Sequence, residues 1–204
     1  GQALFAYAPD ADRARRVVKL APTYDEDGKP LIARREIAYD TLVIAVGSRT
    51  NDFGTPGALE HAISLDTPEQ AELFRRRLVN ACIRANAQTT PLEPKQLQVA
   101  IIGGGATGVE LAAELHKTTR QLVAYGFDQI DPEHDIRMTI IEAGPRILAA
   151  LPERVALAAQ DLLRTLKVDV LTGDPVTQVR ADSVITRSGR TIPVEPTVWA
   201  EGIK

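Results

Sequence analysis

The sequence predicts an α/β fold: a parallel sheet with helices between its strands, and a three-stranded antiparallel β-meander crossing between two of those strands. Three observations carry this. From Leu97 onward, short apolar runs alternate with stretches of helical period, in the order β-α-β-α-β. Three short segments, "PVTQVR", "SVITRS" and "RTIPVE", then follow one another across plausible tight turns at Ala181-Asp182 and Ser188-Gly189. A last strand, "TVWAEG", comes after them.

Taken in order, "RRVVKL" reads as a short strand and "DEDGKP" as a turn. In "IAYDTLVIAVGS" the apolar run Leu42–Val46 reads as a buried strand stopped at Gly47. "FGTPGALEHAISLDTPEQ" reads as loop, punctuated by Pro56-Gly57. A helix should start at Thr67-Pro68-Glu69, with Thr67 as cap and Pro68 in the first helical position. Ala71, Phe74, Leu78 and Cys82 share one face of it at spacings of three and four. "NAQTTPLEPKQ" is polar, proline-bearing loop.

The strand "LQVAIIG" follows, then a helix from Ala106 to about Tyr125 that turns Val109, Ala112, Ala113 and Leu115 inward. "GFDQIDPEHD" is loop, "RMTIIEA" the second strand, "PERVALAAQDLLRTLK" the second helix and "VDVLTG" the third strand.

Composition narrows the function. The chain has 204 residues, 25% charged and 44% hydrophobic, enough for one full core and part of a second. A net charge of -3 gives no electrostatic reason to expect nucleic acid. Cys82 is the single cysteine, so no intramolecular disulfide forms, which fits a reducing compartment. No apolar run approaches the roughly 18 residues of a spanning helix. His61, His116 and His134 have no metal-ligand spacing with one another or with Cys82, and no metal is expected. There is neither a G-x-S-x-G nor a P-loop lysine, so nothing points to hydrolysis or phosphoryl transfer.

The informative motif is Gly103-x-Gly105-x-x-Gly108, which follows a strand and opens a helix. In that context it is a dinucleotide-binding turn. Gly103 allows the tight turn, Gly105 lets the backbone approach a pyrophosphate, and Gly108 lets the helix pack close to the strand. The helix's free amides and positive end then receive the phosphates. The alternative is a tight strand-to-helix turn with no ligand.

Glu142, ending the next strand, is the candidate for the ribose. Its carboxylate accepts from both hydroxyls and repels a 2′-phosphate, favouring NADH over NADPH. It stands further along than the usual offset of about 20 residues, because "YGFDQIDPEHDIR" is inserted before the strand. A solvated strand-end acid is the alternative. Arg146 reads as a surface ion-pair or packing residue, although an arginine there could hold a 2′-phosphate. Glu110, just inside the helix, suits the helix macrodipole; an orienting carboxylate near a redox ring is the equal alternative. Trp199 reads as core, with a site-lining role as the second reading.

Together "YDTLVIAVGSRTNDFGTPG", "VAIIGGGATGVELAAEL", "TIIEAGPRIL" and "VWAEGIK" resemble the type II NADH dehydrogenases (NADH:quinone oxidoreductases) of the FAD-dependent pyridine nucleotide-disulfide oxidoreductase superfamily. The resemblance implies two Rossmann-like domains, one for FAD and one, inserted into it, for NADH. It divides this chain into a partial FAD-binding domain, 1–57, and an NADH-binding domain, 58–204. The chain is expected to be a central piece: it starts at Gly1 rather than Met, and no earlier glycine motif precedes residue 40.

In residue terms, Gly103, Gly104, Gly105, Ala106, Thr107 and Gly108 resemble the pyrophosphate loop and Glu142 the ribose acid. Glu110 resembles the helix glutamate near nicotinamide and flavin. Ala200, Glu201 and Gly202 resemble the loop over the nicotinamide, although a small or amide residue is common where Glu201 stands. Gly47 and Ser48 resemble the flavin-side return segment.

The implied activity is hydride transfer from NADH to FAD, then electrons to a quinone in a respiratory chain. The parent protein would be peripheral on the cytoplasmic face of the membrane, attached through a later C-terminal part, with a homodimer admitted. Two rival readings remain: a ferredoxin, nitrite or disulfide reductase component, and a non-catalytic dinucleotide-binding module.

Overall fold

A computed structural model of the chain describes residues 10–44 and 50–202. It divides into two compact units, residues 1–47 and 48–204. In the first, β1 (Asp10–Asp12), β2 (Val17–Leu20) and β5 (Arg35–Ala38) form an antiparallel sheet in the order β1-β2-β5. β3 (Thr23–Tyr24) and β4 (Pro30–Ile32) form a separate hairpin. Val17 and Leu20 are buried there. "RRVVKL" thus contributes β2, and the "DEDGKP" turn bends at Gly28, whose φ of +78° suits a residue without a Cβ.

The expected buried strand at Leu42–Val46 is not found in its described part. Leu42, Val43 and Ile44 form no strand, and Val43 and Ile44 are 80% and 74% exposed. An apolar run becomes a buried strand only between neighbours that pair its backbone and cover both faces. No described strand pairs with these three residues. The end of the run, with Gly47 and Ser48, lies outside the described residues.

The second unit is a five-stranded parallel sheet in the order β6-β13-β7-β8-β9. Its strands are β6 (Ala62–Ile63), β7 (Gln98–Ile102), β8 (Arg137–Glu142), β9 (Val168–Thr172) and β13 (Thr197–Trp199). Alternation within the strands splits the core in two, because successive strand residues point to opposite faces. Val99 and Ile101 of β7, Met138 and Ile140 of β8, and Val198 of β13 join a cluster with three helices. These are α2 (Pro68–Ala87), α3 (Ala106–Ala124) and α4 (Glu153–Thr165). Ala100, Ile102, Ile141 and Trp199 join a second cluster with the meander residues Val179, Val184 and Val194. The meander is β10 (Val176–Val179), β11 (Ser183–Thr186) and β12 (Thr191–Pro193), antiparallel throughout. Burial on both faces is why "VAII" reads as a continuous apolar run.

Thr67 caps α2 as expected, and Gln70 completes a reciprocal capping box. The buried face of α2 is Phe74, Leu78, Ala81, Cys82 and Ala85, so the stripe starts one turn later than expected and Ala71 is exposed. The stretch read as loop after Phe53 holds a single helical turn, α1 (Ala58–His61), and the edge strand β6. Both elements are too short for a periodic signal, and β6 exists because Thr197 and Val198 pair with Ala62 and Ile63.

Candidate functional site

Moving out from β7, the chain adds β8 and β9 on one side; β13 and β6 lie on the other. The strand order therefore reverses between β7 and β13. Open α/β sheets present their ligand crevice at the carboxyl ends of the strands at such a switch point. Gly103 follows β7 there, Glu142 ends β8, and Ala200, Glu201 and Gly202 follow β13. Three separate sequence segments singled out as site candidates thus meet at one end of the sheet.

Each glycine of the turn has its own geometry. Gly103 has φ of +109°, and a Cβ on it would stand 2.8 Å from the Glu201 nitrogen and 2.9 Å from the Ala200 carbonyl. The first glycine is therefore pressed against the β13 loop. At Gly108 a Cβ would stand 2.0 Å from the Gly103 carbonyl oxygen, so α3 rests on the turn it leaves. Around Gly105 the space is open: among the described residues nothing lies within 4 Å of its Cβ position. Gly105, Ala106 and Thr107 are exposed, and among the described residues no side chain caps the N-terminus of α3. The result is a bare helix start with accessible amides and positive dipole potential, which suits an anion. The residues present fit a pyrophosphate.

Gly104 has a packing role that sequence reasoning missed. A Cβ on it would meet Ile147 Cγ2 at 2.8 Å and Glu142 Cβ at 3.0 Å. The Gly104 N–H donates to Glu142 Oε2 at 2.7 Å, and the Gly144 N–H donates to Glu142 Oε1 at 2.6 Å. Glu142 is thus fixed at the rim of the turn by two charge-assisted bonds. Each carboxylate oxygen keeps further acceptor capacity for a hydroxyl donor. The Leu148 N–H closes the seam by donating to the Gly104 carbonyl at 2.8 Å.

Arg146 is turned onto its own loop: its guanidinium donates to the carbonyls of Leu148, Ala149 and Leu151. Glu110 lies in the second turn of α3, exposed and without a hydrogen bond among the described residues. Glu201 is half-buried, and that burial, with the Glu142 charge second, raises its carboxyl above the usual carboxylate range. The two acids therefore repel across the mouth of the turn.

A further group also lay beyond sequence reasoning. The Trp199 indole N–H donates to the Asn51 carbonyl at 2.9 Å and to the Glu201 carbonyl at 3.2 Å. The Phe53 ring lies over Gly202, where a Cβ would stand 2.7 Å from it. The only hint in the sequence is an aromatic beside "AEG"; nothing local pairs it with residue 51.

Elsewhere, Cys82 is fully buried and its thiol is pushed up to about 11, so it is an inert core residue. Burial and the neighbouring Arg120 lower His116, with Glu133 opposing. Among the described residues no cluster of three or more His, Cys, Asp or Glu side chains could hold a metal ion. No described helix is long and apolar enough to cross a membrane.

The family model for pyridine nucleotide-disulphide oxidoreductases matches residues 7–204. The chain belongs to that family. Among curated relatives it is 35% identical to a type II NADH:quinone oxidoreductase of Haemophilus influenzae, over 95% of this chain and 46% of that protein. It is 34% identical to the external alternative NAD(P)H-ubiquinone oxidoreductase B4 of Arabidopsis thaliana mitochondria, over 82% of this chain and 30% of that protein. The chain thus spans less than half the length of these relatives. A solved structure of NDH2 from Plasmodium falciparum in complex with NADH shares the fold. Its TM-score is 0.71 at 24% identity, over 98% of this chain and 40% of that one.

Proposed function

We propose that this chain is the NADH-binding part of a flavoprotein NADH dehydrogenase that passes a hydride from NADH to FAD and then electrons to a quinone. The observation that carries the reading is the bare α3 start at the switch point, with Glu142 fixed on one side of it and the Ala200–Gly202 loop on the other. The relatives named for NADH and quinone support it. The first compact unit, residues 1–47, is the FAD-domain part and the second, 48–204, the NADH domain; the boundary expected after residue 57 falls inside the second unit.

In this reading the amides of Gly105 to Gly108 hold the pyrophosphate, and Glu142 takes the ribose hydroxyls nearest the adenine and disfavours a 2′-phosphate. The β13 loop takes the nicotinamide end. Glu110, exposed in the second turn of α3, orients the ring electrostatically. FAD, bound with the help of Gly47 and Ser48, supplies the hydride acceptor. The protein's contribution is placement of the two rings. The parent protein associates with a membrane surface, on its cytoplasmic face.

Titration calorimetry of the chain with NADH and NADPH tests the reading, with NADH expected to bind more tightly. Equal affinity would remove the role assigned to Glu142, and binding of neither would remove the dinucleotide reading. Mixing the chain with NADH and a quinone, with and without FAD, should give no appreciable loss of NADH absorbance without the rest of the flavin domain.

A further inference from the structure

Residues 50–54 reach the mouth of the glycine turn from far away in sequence. Their turn is internally built: the Phe53 N–H donates to Asn51 Oδ1 at 3.1 Å, and the Gly54 N–H to Asp52 Oδ1 at 3.3 Å. Asp66 anchors its start, accepting from the Thr50 N–H and, at 2.6 Å, from the Thr50 hydroxyl. Phe53 has φ of +52°, a left-handed conformation that a large side chain adopts only when its surroundings hold it. Phe53 is 63% exposed, yet the edge of its ring lies against Gly202. Trp199, 3% exposed, joins the two segments by hydrogen bonds, because its single N–H reaches both the Asn51 and Glu201 carbonyls.

The sheet order says which end of a dinucleotide this group faces. Glu142 is on the β8 side of β7, and Trp199 and Gly202 are on the β13 side. A ligand whose pyrophosphate sits on α3 and whose adenosine reaches Glu142 must extend its other end over β13.

We propose that Trp199 is a positioning residue. Its indole N–H locks the 50–54 turn to the 200–202 loop, so that the exposed Phe53 ring forms a fixed wall for the nicotinamide end of the dinucleotide. This rests on the dinucleotide reading above. The buried indole does not touch the ligand; it acts through Phe53 and the Gly202 backbone. An exposed aromatic ring held in a strained conformation at a site mouth is available to a planar ligand group.

The test compares NADH with ADP-ribose, which lacks the nicotinamide, on the whole chain. Trp199→Phe keeps a ring in the core but removes the donor from two carbonyls. Phe53→Ala changes an exposed residue and does not burden the core. Both variants should bind NADH about tenfold more weakly while ADP-ribose affinity stays within about twofold. Trp199 is the chain's only tryptophan, so its emission reports directly. NADH should quench it by overlap with dihydronicotinamide absorption, ADP-ribose should not, and Phe53→Ala should reduce the quenching at saturation. If the parent chain binds neither ligand, the dinucleotide reading falls and this inference with it. If it binds both and the variants lose both in equal proportion, or lose neither, the positioning role alone is overturned. Should Trp199→Phe fail to fold, Phe53→Ala decides by the same criteria.

Discussion

Gly108→Ala sets two effects of opposite sign against each other. In the interior of α3 alanine is the better helix former by about 1 kcal/mol. Against this, the added Cβ would stand 2.0 Å from the Gly103 carbonyl oxygen and 3.2 Å from its carbon. An ordinary carbon–oxygen contact is about 3.3 Å, so the helix start must move by about 1.3 Å relative to the turn. The obstructing atoms are backbone, fixed by the Gly103 N–H bond to the Ile141 carbonyl at 2.8 Å and by the β13 loop packed on the other side. A rotamer change cannot relieve this contact. Overpacking of this kind costs about 1–3 kcal/mol, and the rigid obstruction places it at the upper end, so a net loss of about 2 kcal/mol remains after the helix gain. For a chain of this size that lowers the melting temperature by about 4–8 °C.

Gly105→Ala is the matched comparison. Its φ of -71° is ordinary and its Cβ position is open, so nothing clashes, and the cost is that of a poorer N-cap, under about 1 kcal/mol. The methyl group would nevertheless stand where a phosphate must approach the amides. Thermal melts followed by circular dichroism, with NADH titration, separate the two. Gly108→Ala should lose both stability and affinity, and Gly105→Ala mainly affinity, with a stability loss less than half as large. A Gly108→Ala protein as stable as the parent would show that helix propensity outweighs the contact, and the packing argument would be wrong.

Other expectations follow from the same geometry. Glu142→Ala leaves the Gly104 and Gly144 amides without their acceptor, so stability should fall by about 1–3 kcal/mol in denaturant titration. The same variant should bind NADH more weakly and narrow its advantage over NADPH; an unchanged ratio would count against the ribose role. Glu201→Gln should raise the melting temperature at neutral pH, because the carboxyl's folded pKa is raised and burying its charge is unfavourable. Below the unfolded value of 4.5 the group is protonated in both states and the gain vanishes; it grows as pH rises through the raised folded value. Melts from about pH 4 to about pH 7 would show this, and a gain independent of pH would refute the burial argument. Thr67→Ala removes the capping box of α2 and should cost about 1 kcal/mol in denaturant titration; no loss would show that the Gln70 side chain alone holds the helix start.

Legibility followed the range of the physics. The parallel strands, the three long helices and the meander were readable because burial imposes a period of 2 or 3.6 on local sequence. The Thr67 cap and the glycine turn were readable because their chemistry spans only a few residues. The Leu42–Val46 run misled because apolar residues state a need for burial without supplying the strands that would satisfy it. Ala71 misled because alanine is equally at home on either face of a helix. The elements α1 and β6 were invisible because four and two residues leave no periodic trace.

The sequence alone determined the fold class, the order of elements from Leu97 onward and the glycine turn, since each is a matter of neighbours in the chain. Only the tertiary structure decided that Glu142 is tied to the amides of Gly104 and Gly144, that Gly108 rests on Gly103, and that Trp199 joins Asn51 to Glu201. Those contacts span up to 148 residues of chain. Their geometry is set by which strands lie side by side at the end of the sheet, and no local pattern encodes that.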